Sequence, residues 1–277
     1  MENLRDLATR FRALHAAAGA FVIPNVWDGG SAAVMAELGF KALATSSSAC
    51  AATLGRLDGQ ITREQALAHG QLIASVSRLP VAADLENGFG DSPESAAETI
   101  RLAAAAGLVG GSIEDASGSA ATPIYAMAQA VERVAAAAEA ARRLPFPFVL
   151  TARAENFLHE QEDLDDTVRR LQAFEKAGAD VLFAPGLPDL AAVRTVCAAL
   201  KKPVNFMVGM PGQSFTVTQL AEAGVKRISL STTLYRAAMT GLMAAAREVS
   251  GGGTFGYVQN LLGGGELGRY LREQAQR

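Results

Sequence analysis

The stretch Lys176-Ala-Gly-Ala-Asp-Val-Leu-Phe183 contains the unit that decides the fold: a helix end, a glycine and a short apolar strand. Glycine just past a helix end adopts the left-handed cap conformation at little cost. The apolar run that follows is typical of a parallel strand buried on both faces. The same unit recurs, with its helix end and glycine at Ala36-Glu-Leu-Gly39, Ala105-Ala-Gly107 and Glu222-Ala-Gly224. Repeated helix–strand units therefore organise the chain.

Apolar runs elsewhere complete a set of eight predicted strands, at residues 21–26, 42–45, 81–83, 112–114, 148–152, 181–183, 204–208 and 227–230. Helices are predicted between them, for example at residues 64–77, 93–105, 128–143, 164–177 and 190–200. Eight strand–helix alternations predict an α/β fold of the (β/α)8 TIM barrel type. A doubly wound open sheet is the alternative, but Asn25-Val-Trp-Asp-Gly-Gly30 lacks the glycine pattern of a dinucleotide-binding turn.

The domain organisation follows from where glycine is concentrated. No linker rich in Pro, Gly and Ser divides residues 1–250, which we assign to one barrel domain. Gly251-Gly-Gly253 then separates a C-terminal arm, residues 251–277, with a second triple glycine and a short helix at 266–274. We expect this arm to pack on the barrel or on a neighbouring subunit.

Composition limits the class of protein. The chain has 277 residues, 49% of them hydrophobic, which is enough for a substantial core. Its net charge of −3 gives no electrostatic reason to expect nucleic acid or an anionic membrane surface. No apolar run approaches the ~20 residues of a membrane span, and the charged N-terminus lacks a signal-peptide core. Two cysteines without metal-type spacing indicate a reducing compartment, so we expect a soluble cytoplasmic protein.

Acidic residues stand where predicted strands end, which is where barrel enzymes carry their active sites. In Val81-Ala-Ala-Asp-Leu-Glu-Asn-Gly-Phe-Gly-Asp91, Asp84 and Glu86 alternate and so share one face of the strand end. The next strand ends in Glu114 and Asp115. Clustered carboxylates suit a hard divalent cation, Mg²⁺ or alternatively Mn²⁺.

The remaining strand ends supply groups that suit an anionic substrate. Arg153 can present a planar fork to a carboxylate. The turn Thr45-Ser-Ser-Ser48 offers backbone N–H groups and the hydroxyls of Ser46, Ser47 and Ser48 to another anionic group. Asp58 and Asn205 are further candidates at this end of the barrel.

Several of these features also have a purely structural interpretation. Asp91-Ser-Pro-Glu94 is typical of a helix start, with an N-cap and a proline in the first turn. Asp115 is equally suited to capping a loop, and Glu155 to a structural ion pair with Arg153. Cys50 is expected to be a small buried residue with a structural role. None of the histidines, His15, His69 and His159, has the spacing of a zinc site.

Taken together, the motifs resemble those of the isocitrate lyase/phosphoenolpyruvate mutase superfamily, over roughly residues 20–245. They are Thr45-Ser-Ser-Ser-Ala49, Leu54-Gly-Arg-Leu-Asp-Gly59, Ala83-Asp-Leu-Glu-Asn-Gly-Phe-Gly90, Ser112-Ile-Glu-Asp115 and Thr151-Ala-Arg-Ala-Glu155. The resemblance implies a barrel whose last helix is exchanged between subunits of a homodimer or homotetramer. It also implies substrates that share a 2-oxo-carboxylate or enolpyruvate unit, with chemistry through a metal-stabilised enolate.

The resemblance assigns roles to the site residues. It implies Mg²⁺ bound directly by Asp84, with Asp58, Glu86 and Glu114 holding the metal's waters. Arg153 matches the arginine that takes the substrate carboxylate, and the turn at Ser46, Ser47 and Ser48 matches the loop that binds the substrate's other end.

This sequence departs from the family pattern after the fourth strand. Residues 116–125 read Ala-Ser-Gly-Ser-Ala-Ala-Thr-Pro-Ile-Tyr, without the Cys, Lys or His that act as acids and bases in relatives. The sixth strand ends in Ala184-Pro-Gly186 instead of a His or Glu, and Glu86 replaces the usual Asp. Small polar residues at 116–125 fit a mobile lid or a plain surface loop.

Such a site suits a reaction that needs enolate stabilisation without a strong acid. We therefore predict a Mg²⁺-dependent carbon–carbon lyase or decarboxylase for a small 2-oxo dicarboxylate such as oxaloacetate. Asp58 and Arg153 would be catalytic, and the enolate proton would come from solvent or Tyr125. Two alternatives stay open: a carbon–phosphorus mutase or hydrolase, and a non-catalytic protein that binds a 2-oxo acid.

Overall fold

The computed structural model describes residues 3–276, and the side chains of residues 3–271. Eight parallel strands form one sheet in the order β1-β8-β7-β6-β5-β4-β3-β2, and a parallel bridge between Asn25 and Ala44 brings its two edges together. The strands are β1 (Phe21–Ile23), β2 (Leu43–Ala44), β3 (Val81–Asp84), β4 (Gly110–Glu114), β5 (Val149–Arg153), β6 (Val181–Phe183), β7 (Val204–Met207) and β8 (Arg227–Ser229). The predicted (β/α)8 TIM barrel is confirmed.

Helices alternate with these strands around the outside of the barrel. They are α1 (Leu4–Ala16), α2 (Gly29–Glu37), α3 (Ser47–Thr53), α4 (Arg63–Ser77), α5 (Pro93–Ala105), α6 (Met127–Arg142), α7 (Leu164–Ala177), α8 (Leu190–Ala199), α9 (Val217–Glu222), α10 (Thr233–Gly252) and α11 (Gly264–Gln276). Gly178, in the opening repeat unit, has φ 111° and caps α7 in the left-handed conformation. The helix therefore ends at a glycine, which adopts this left-handed conformation at a low cost in free energy.

Local capping fixes where the helices near the site begin. Ser92 is the N-cap of α5 and Pro93 lies in its first turn, so the predicted helix start is confirmed. The serines after β2 differ from expectation, because they begin a helix instead of forming a turn. Ser46 accepts a hydrogen bond from the Ala49 amide and caps α3, whose first residue is Ser47.

The amino-terminal end of the barrel is closed by α1, which the sequence analysis did not predict. Phe11 of this helix is fully buried in a cluster with Ala8, Ile23 and Ala82. Gly110 of β4 accommodates that ring, because a Cβ there would lie 2.8 Å from a Phe11 ring carbon. The barrel therefore has a floor at this end, and its cavities open at the carboxyl ends of the strands.

The C-terminal arm leaves the barrel through α10, a helix with no buried residue in this single chain. The arm then returns, and α11 contacts α2 and α4 of the same chain. Several apolar side chains of this region are exposed, among them Leu242, Met243, Phe255, Val258 and Leu261. Exchange of the last helix between subunits stays a prediction.

Within residues 3–276, no helix combines the length and the apolar character that crossing a membrane requires.

Candidate active site

Two cavities open at the carboxyl ends of the strands and share the side chains of Ser47, Asp58 and Arg153. The first, which we call the lumen cavity, has a volume of about 260 Å³ and is lined by residues of all eight strands. The second, the mouth cavity, has a volume of about 870 Å³ and is lined by the loops above them. The candidate site thus lies where the sequence analysis expected it.

Asp84 ends β3 and is the point at which the site residues converge. Its Oδ2 accepts hydrogen bonds from the Ser47 amide at 3.2 Å and the Ser47 hydroxyl at 3.1 Å. Its Oδ1 accepts from Arg153 Nη1 at 2.9 Å and from the Ser112 hydroxyl at 3.4 Å. Two predicted groups, the acid of β3 and the serines after β2, are therefore in direct contact.

Arg153 ends β5 and lies among three carboxylates. Its Nη1 is 2.9 Å from Asp84 Oδ1 and 3.1 Å from Glu114 Oε2, and its Nε is 2.8 Å from Glu155 Oε1. Burial disfavours its charge, but the attraction of Glu114, Glu155 and Asp84 holds the pKa of Arg153 well above its usual value. The ion pair with Glu155, which the sequence offered as a structural alternative, is present. Nη2 donates to no atom of the described residues, so two N–H groups are available to a ligand.

This cluster contains more carboxylates than basic groups, and the pKa values of three of the carboxylates are raised. Burial first, and then repulsion from Asp84 and Asp58, raises the pKa of Glu86 to about 7. Burial also raises the pKa of Glu114 well above its usual range, against the attraction of Arg153. Partial desolvation raises the pKa of Asp58, which a hydrogen bond from Ser47 opposes. Such a cluster is relieved by a bound cation.

The donor set fits a magnesium ion. Glu86 Oε1 is buried and, within the described part of the chain, has no hydrogen-bond partner, as expected for an atom that faces an ion or its water. No three Asp, Glu, His or Cys side chains among the described residues converge tightly enough to chelate an ion by themselves. Mg²⁺ tolerates this, because it keeps several waters and needs only one or two direct carboxylates.

Tyr125 lies apart from both cavities. Its hydroxyl donates to Asp91 Oδ1 at 2.7 Å and accepts from Asn87 Nδ2 at 3.1 Å. Burial and the bond to Asp91 raise the pKa of Tyr125 to about 12. The tyrosine connects the end of the 116–125 loop to the segment before α5, and its hydroxyl is engaged by Asp91 and Asn87.

Asp115 has the structural role that the sequence analysis weighed for it. Its Oδ1 accepts from the Glu155 amide at 2.8 Å and its Oδ2 from Arg170 Nη1 at 3.1 Å. Burial raises the pKa of Asp115 to about 6, opposed by the Glu155 amide and Arg170. Asp115 therefore holds the backbone of Glu155 in place, and through Glu155 the orientation of Arg153.

The floor of the lumen cavity contains a polar group that sequence reasoning missed. Arg227 begins β8, and its Nε donates to Asn205 Oδ1 at 2.8 Å and its Nη2 to Thr151 Oγ1 at 2.9 Å. Asn205 also donates from Nδ2 to the Ser229 hydroxyl at 3.0 Å. The predicted substrate-binding residue Asn205 thus lines the cavity from below the strand ends, in contact with Arg227.

His159 is a second residue that the sequence analysis did not place in the site. It ends the 3-10 turn Asn156–His159 and lines the mouth cavity beside Glu155. The signal that could have found it is its position in the loop directly after β5, since barrel active sites are built from such loops.

Comparison with known proteins agrees with this architecture. A model of the phosphoenolpyruvate phosphomutase family matches residues 11–250. A solved structure from Burkholderia cenocepacia J2315, provisionally called a lyase/mutase, has 51% sequence identity, a TM-score of 0.94 and coverage of 96% of both chains.

Two curated relatives carry more specific names. The oxaloacetate decarboxylase of Ectopseudomonas mendocina is 29% identical over 89% of this chain and 85% of its own. The 2-methylisocitrate lyase of Aeropyrum pernix is 28% identical over 84% of this chain and 76% of its own.

Proposed function

Because the chain belongs to the phosphoenolpyruvate phosphomutase family, we propose that it is a Mg²⁺-dependent carbon–carbon lyase or decarboxylase for a small 2-oxo dicarboxylate. The observation that carries the proposal is the position of Arg153. Its Nη1 contacts Asp84 and Glu114, while its Nη2 donates to no atom in the part of the chain that the structure describes. This arrangement combines a carboxylate-binding cation with an acid cluster suited to a metal. The relatives named for decarboxylation of oxaloacetate and cleavage of 2-methylisocitrate support the reaction class.

The residues divide into those for the metal and those for the substrate. Asp84 would bind Mg²⁺ directly, while Asp58, Glu86 and Glu114 would hold its waters. A bound Mg²⁺ supplies positive charge where negative charge develops on the 2-oxo oxygen. Ser47 orients the Asp84 carboxylate through its amide and hydroxyl.

Arg153 would bind the carboxylate next to the 2-oxo group through Nη2, and the serines at the start of α3 would contact the ligand from β2. Glu155 and Asp115 keep the guanidinium in position. Loss of CO₂ from the β-carboxylate leaves its electron pair in the enolate, so this step needs no acid. The enolate carbon then takes a proton from solvent, because the Tyr125 hydroxyl is bound to Asp91.

A non-catalytic 2-oxo-acid-binding protein is the second candidate. The observation that favours it is the 116–125 loop, which contains no Cys, Lys or His and whose one tyrosine hydroxyl donates to Asp91. A carbon–phosphorus mutase or hydrolase would act at the same metal and differs only in the group that is cleaved.

We also propose that the protein is a homodimer or homotetramer built through α10. This helix of 20 residues buries none of its side chains in the single chain and exposes Leu242 and Met243. Burial of those apolar side chains against a second copy would remove them from water.

A proton NMR time course tests the function. The protein with Mg²⁺ is given oxaloacetate, 2-oxoglutarate, methylisocitrate, phosphoenolpyruvate or phosphonopyruvate, with and without chelator. We expect pyruvate to form from one of the carbon-only acids, above its background decay and only without chelator. Turnover of phosphonopyruvate or phosphoenolpyruvate alone would establish carbon–phosphorus chemistry instead, and binding without turnover would establish the non-catalytic candidate.

The matched variants are Asp84→Ala and Asp165→Asn. Asp84 is the proposed direct ligand, so its loss should abolish the chelator-sensitive reaction. Asp165 is an exposed carboxylate in the first turn of α7, and its loss should leave the rate unchanged. Full activity of Asp84→Ala would refute the metal assignment.

A further inference from the structure

Arg227 is a buried cation without an acid beside it. Only 6% of the residue is exposed, and it takes part in none of the ion pairs formed by the described side chains. Burial lowers the pKa of Arg227 to about 9, and no neighbouring charge opposes that effect. Because a buried charge costs free energy unless it is paired, this position needs an explanation.

The partners of Arg227 in the protein are all neutral. Nε and Nη2 donate to Asn205 Oδ1 and Thr151 Oγ1, and Nη1 lies 3.5 Å from His15 Nε2. His15 is neutral because burial and the charge of Arg227 lower its pKa to about 3, and its Nδ1 lies 2.9 Å from the Phe11 carbonyl oxygen. A guanidinium has five N–H donors, and these contacts engage only three of them.

The space above Arg227 is open. Arg227 and Arg153 both line the lumen cavity of about 260 Å³, so one continuous space reaches from the strand ends to the floor. Small side chains keep it clear where larger ones could have filled the barrel: Ala44 and Ala82 form part of its wall. Barrel interiors are ordinarily packed with branched side chains, so this opening is a built feature.

The two arginines lie on successive levels of the lumen. Thr151, which Arg227 contacts, stands two residues before Arg153 on β5, so both side chains point inward. Two residues along a strand correspond to about 6.6 Å, which is the distance along β5 between the residue that Arg227 contacts and the residue that carries the other guanidinium. This separation is of the order that the two ends of a small dicarboxylate can span.

We propose that Arg227, with Asn205 and Thr151 as its supports, forms a second anion subsite at the floor of the barrel that binds the distal carboxylate of the substrate. This inference rests on the proposed 2-oxo-acid function of the same cavity. Arg153 then takes the carboxylate beside the 2-oxo group, and Arg227 makes the protein selective for dicarboxylates over monocarboxylates. Asn205 and Thr151 are positioning residues, because they orient the guanidinium from two sides.

The test compares two acids that differ only at the distal end, 2-oxoglutarate and 2-oxopentanoate. Titration calorimetry of the full-length protein with Mg²⁺, in chloride-free buffer, gives both dissociation constants. We expect 2-oxoglutarate to bind at least about tenfold more tightly, since a charge-assisted hydrogen bond in a dry site is worth that much. In Arg227→Met this preference should disappear, and in Arg227→Lys, which keeps the charge without the fork, part of it should remain.

The outcomes separate this inference from the proposed function. Equal binding of the two acids by the wild type would overturn the second subsite and leave the 2-oxo-acid pocket standing. Binding of neither acid would overturn both. Arg153→Met serves as the comparison, because it should weaken both acids alike, whereas Arg227→Met should weaken only 2-oxoglutarate. Equal loss of both acids in Arg227→Met would also refute the subsite. The wild-type comparison decides the matter even if a variant does not fold.

Discussion

Arg153 at the mouth of the barrel and Arg227 at its floor are both largely shielded from solvent, in opposite electrostatic surroundings. At the mouth, Arg153 contacts Asp84, Glu114 and Glu155, and its pKa is held well above the usual value. At the floor, the contacts of Arg227 with described residues are all with neutral groups, and burial lowers its pKa to about 9. The mouth has negative charge in excess and suits a cation, whereas the floor has an uncompensated positive charge and suits an anion.

Because of this difference, the two ends of one small cavity suit different ligands. A metal is attracted to the acids at the strand ends, and the arginine beside it would bind the carboxylate next to the 2-oxo group. The floor, closed by α1, is the drier place, where a charge–charge contact is strongest. Four substitutions test the contrast, in order of the expected change in the free energy of unfolding.

The largest effect is expected for Arg153→Met, measured by urea unfolding of the metal-free protein. Three carboxylates would lose their shared counter-ion, so unfolding should become easier by about 3–5 kcal/mol. Arg169→Met is the control, because Arg169 is 61% exposed where it pairs with Asp166, and exposed pairs contribute about 1 kcal/mol or less. Similar losses of unfolding free energy in the two variants would show that the ion pairs of Arg153 stabilise the fold no more than an exposed pair does.

His15→Gln should change the response of the floor to acid. His15 has a folded pKa of about 3 against 6.5 when unfolded, so below pH 6.5 only the unfolded chain takes the proton. Stability is therefore lost as pH falls, by about 2 kcal/mol between pH 6.5 and 5. The variant, unfolded in urea at both pH values, should lack this loss relative to wild type. An identical pH dependence in the two proteins would mean that His15 is charged at the floor.

Arg227→Met should behave unlike Arg153→Met. Replacing an unpaired buried charge with an apolar side chain removes a desolvation cost, although Asn205 and Thr151 each lose a donor. We expect the free energy of unfolding to stay equal to that of wild type or to rise by up to about 2 kcal/mol. A loss of unfolding free energy as large as that of Arg153→Met would show that the hydrogen bonds of Arg227 stabilise the fold.

The smallest effect is expected for Glu86→Gln at the mouth. The folded pKa of Glu86 is about 7 against 4.5 when unfolded, so between these values the folded state binds more protons. Stability is therefore present at low pH and is lost as pH rises through 7, by about 1 kcal/mol after allowance for solvent screening. The metal-free variant should show a flatter pH profile from 4.5 to 8. A profile as steep as that of wild type would contradict the raised pKa.

Much of the mouth could be predicted, because each of its residues follows an apolar run. Asp84, Glu114 and Arg153 all end strands, and parallel strands bring their carboxyl ends to one rim. The floor could not be found in this way. Arg227 begins its strand, where a single sequence offers no rule for a buried charge, and its neighbour His15 is 212 positions away.

The sequence by itself determined the number and order of the strands, the glycine cap of α7 and the acids at the rim, because these depend on local periodicity and local backbone conformation. Only the tertiary structure decided that Tyr125 turns to Asp91, that Ser46 caps a helix and that α1 closes the barrel under Arg227. Those outcomes depend on which side chains meet after folding. Burial and hydrogen bonding between distant parts of the chain set them, and no local pattern records such contacts.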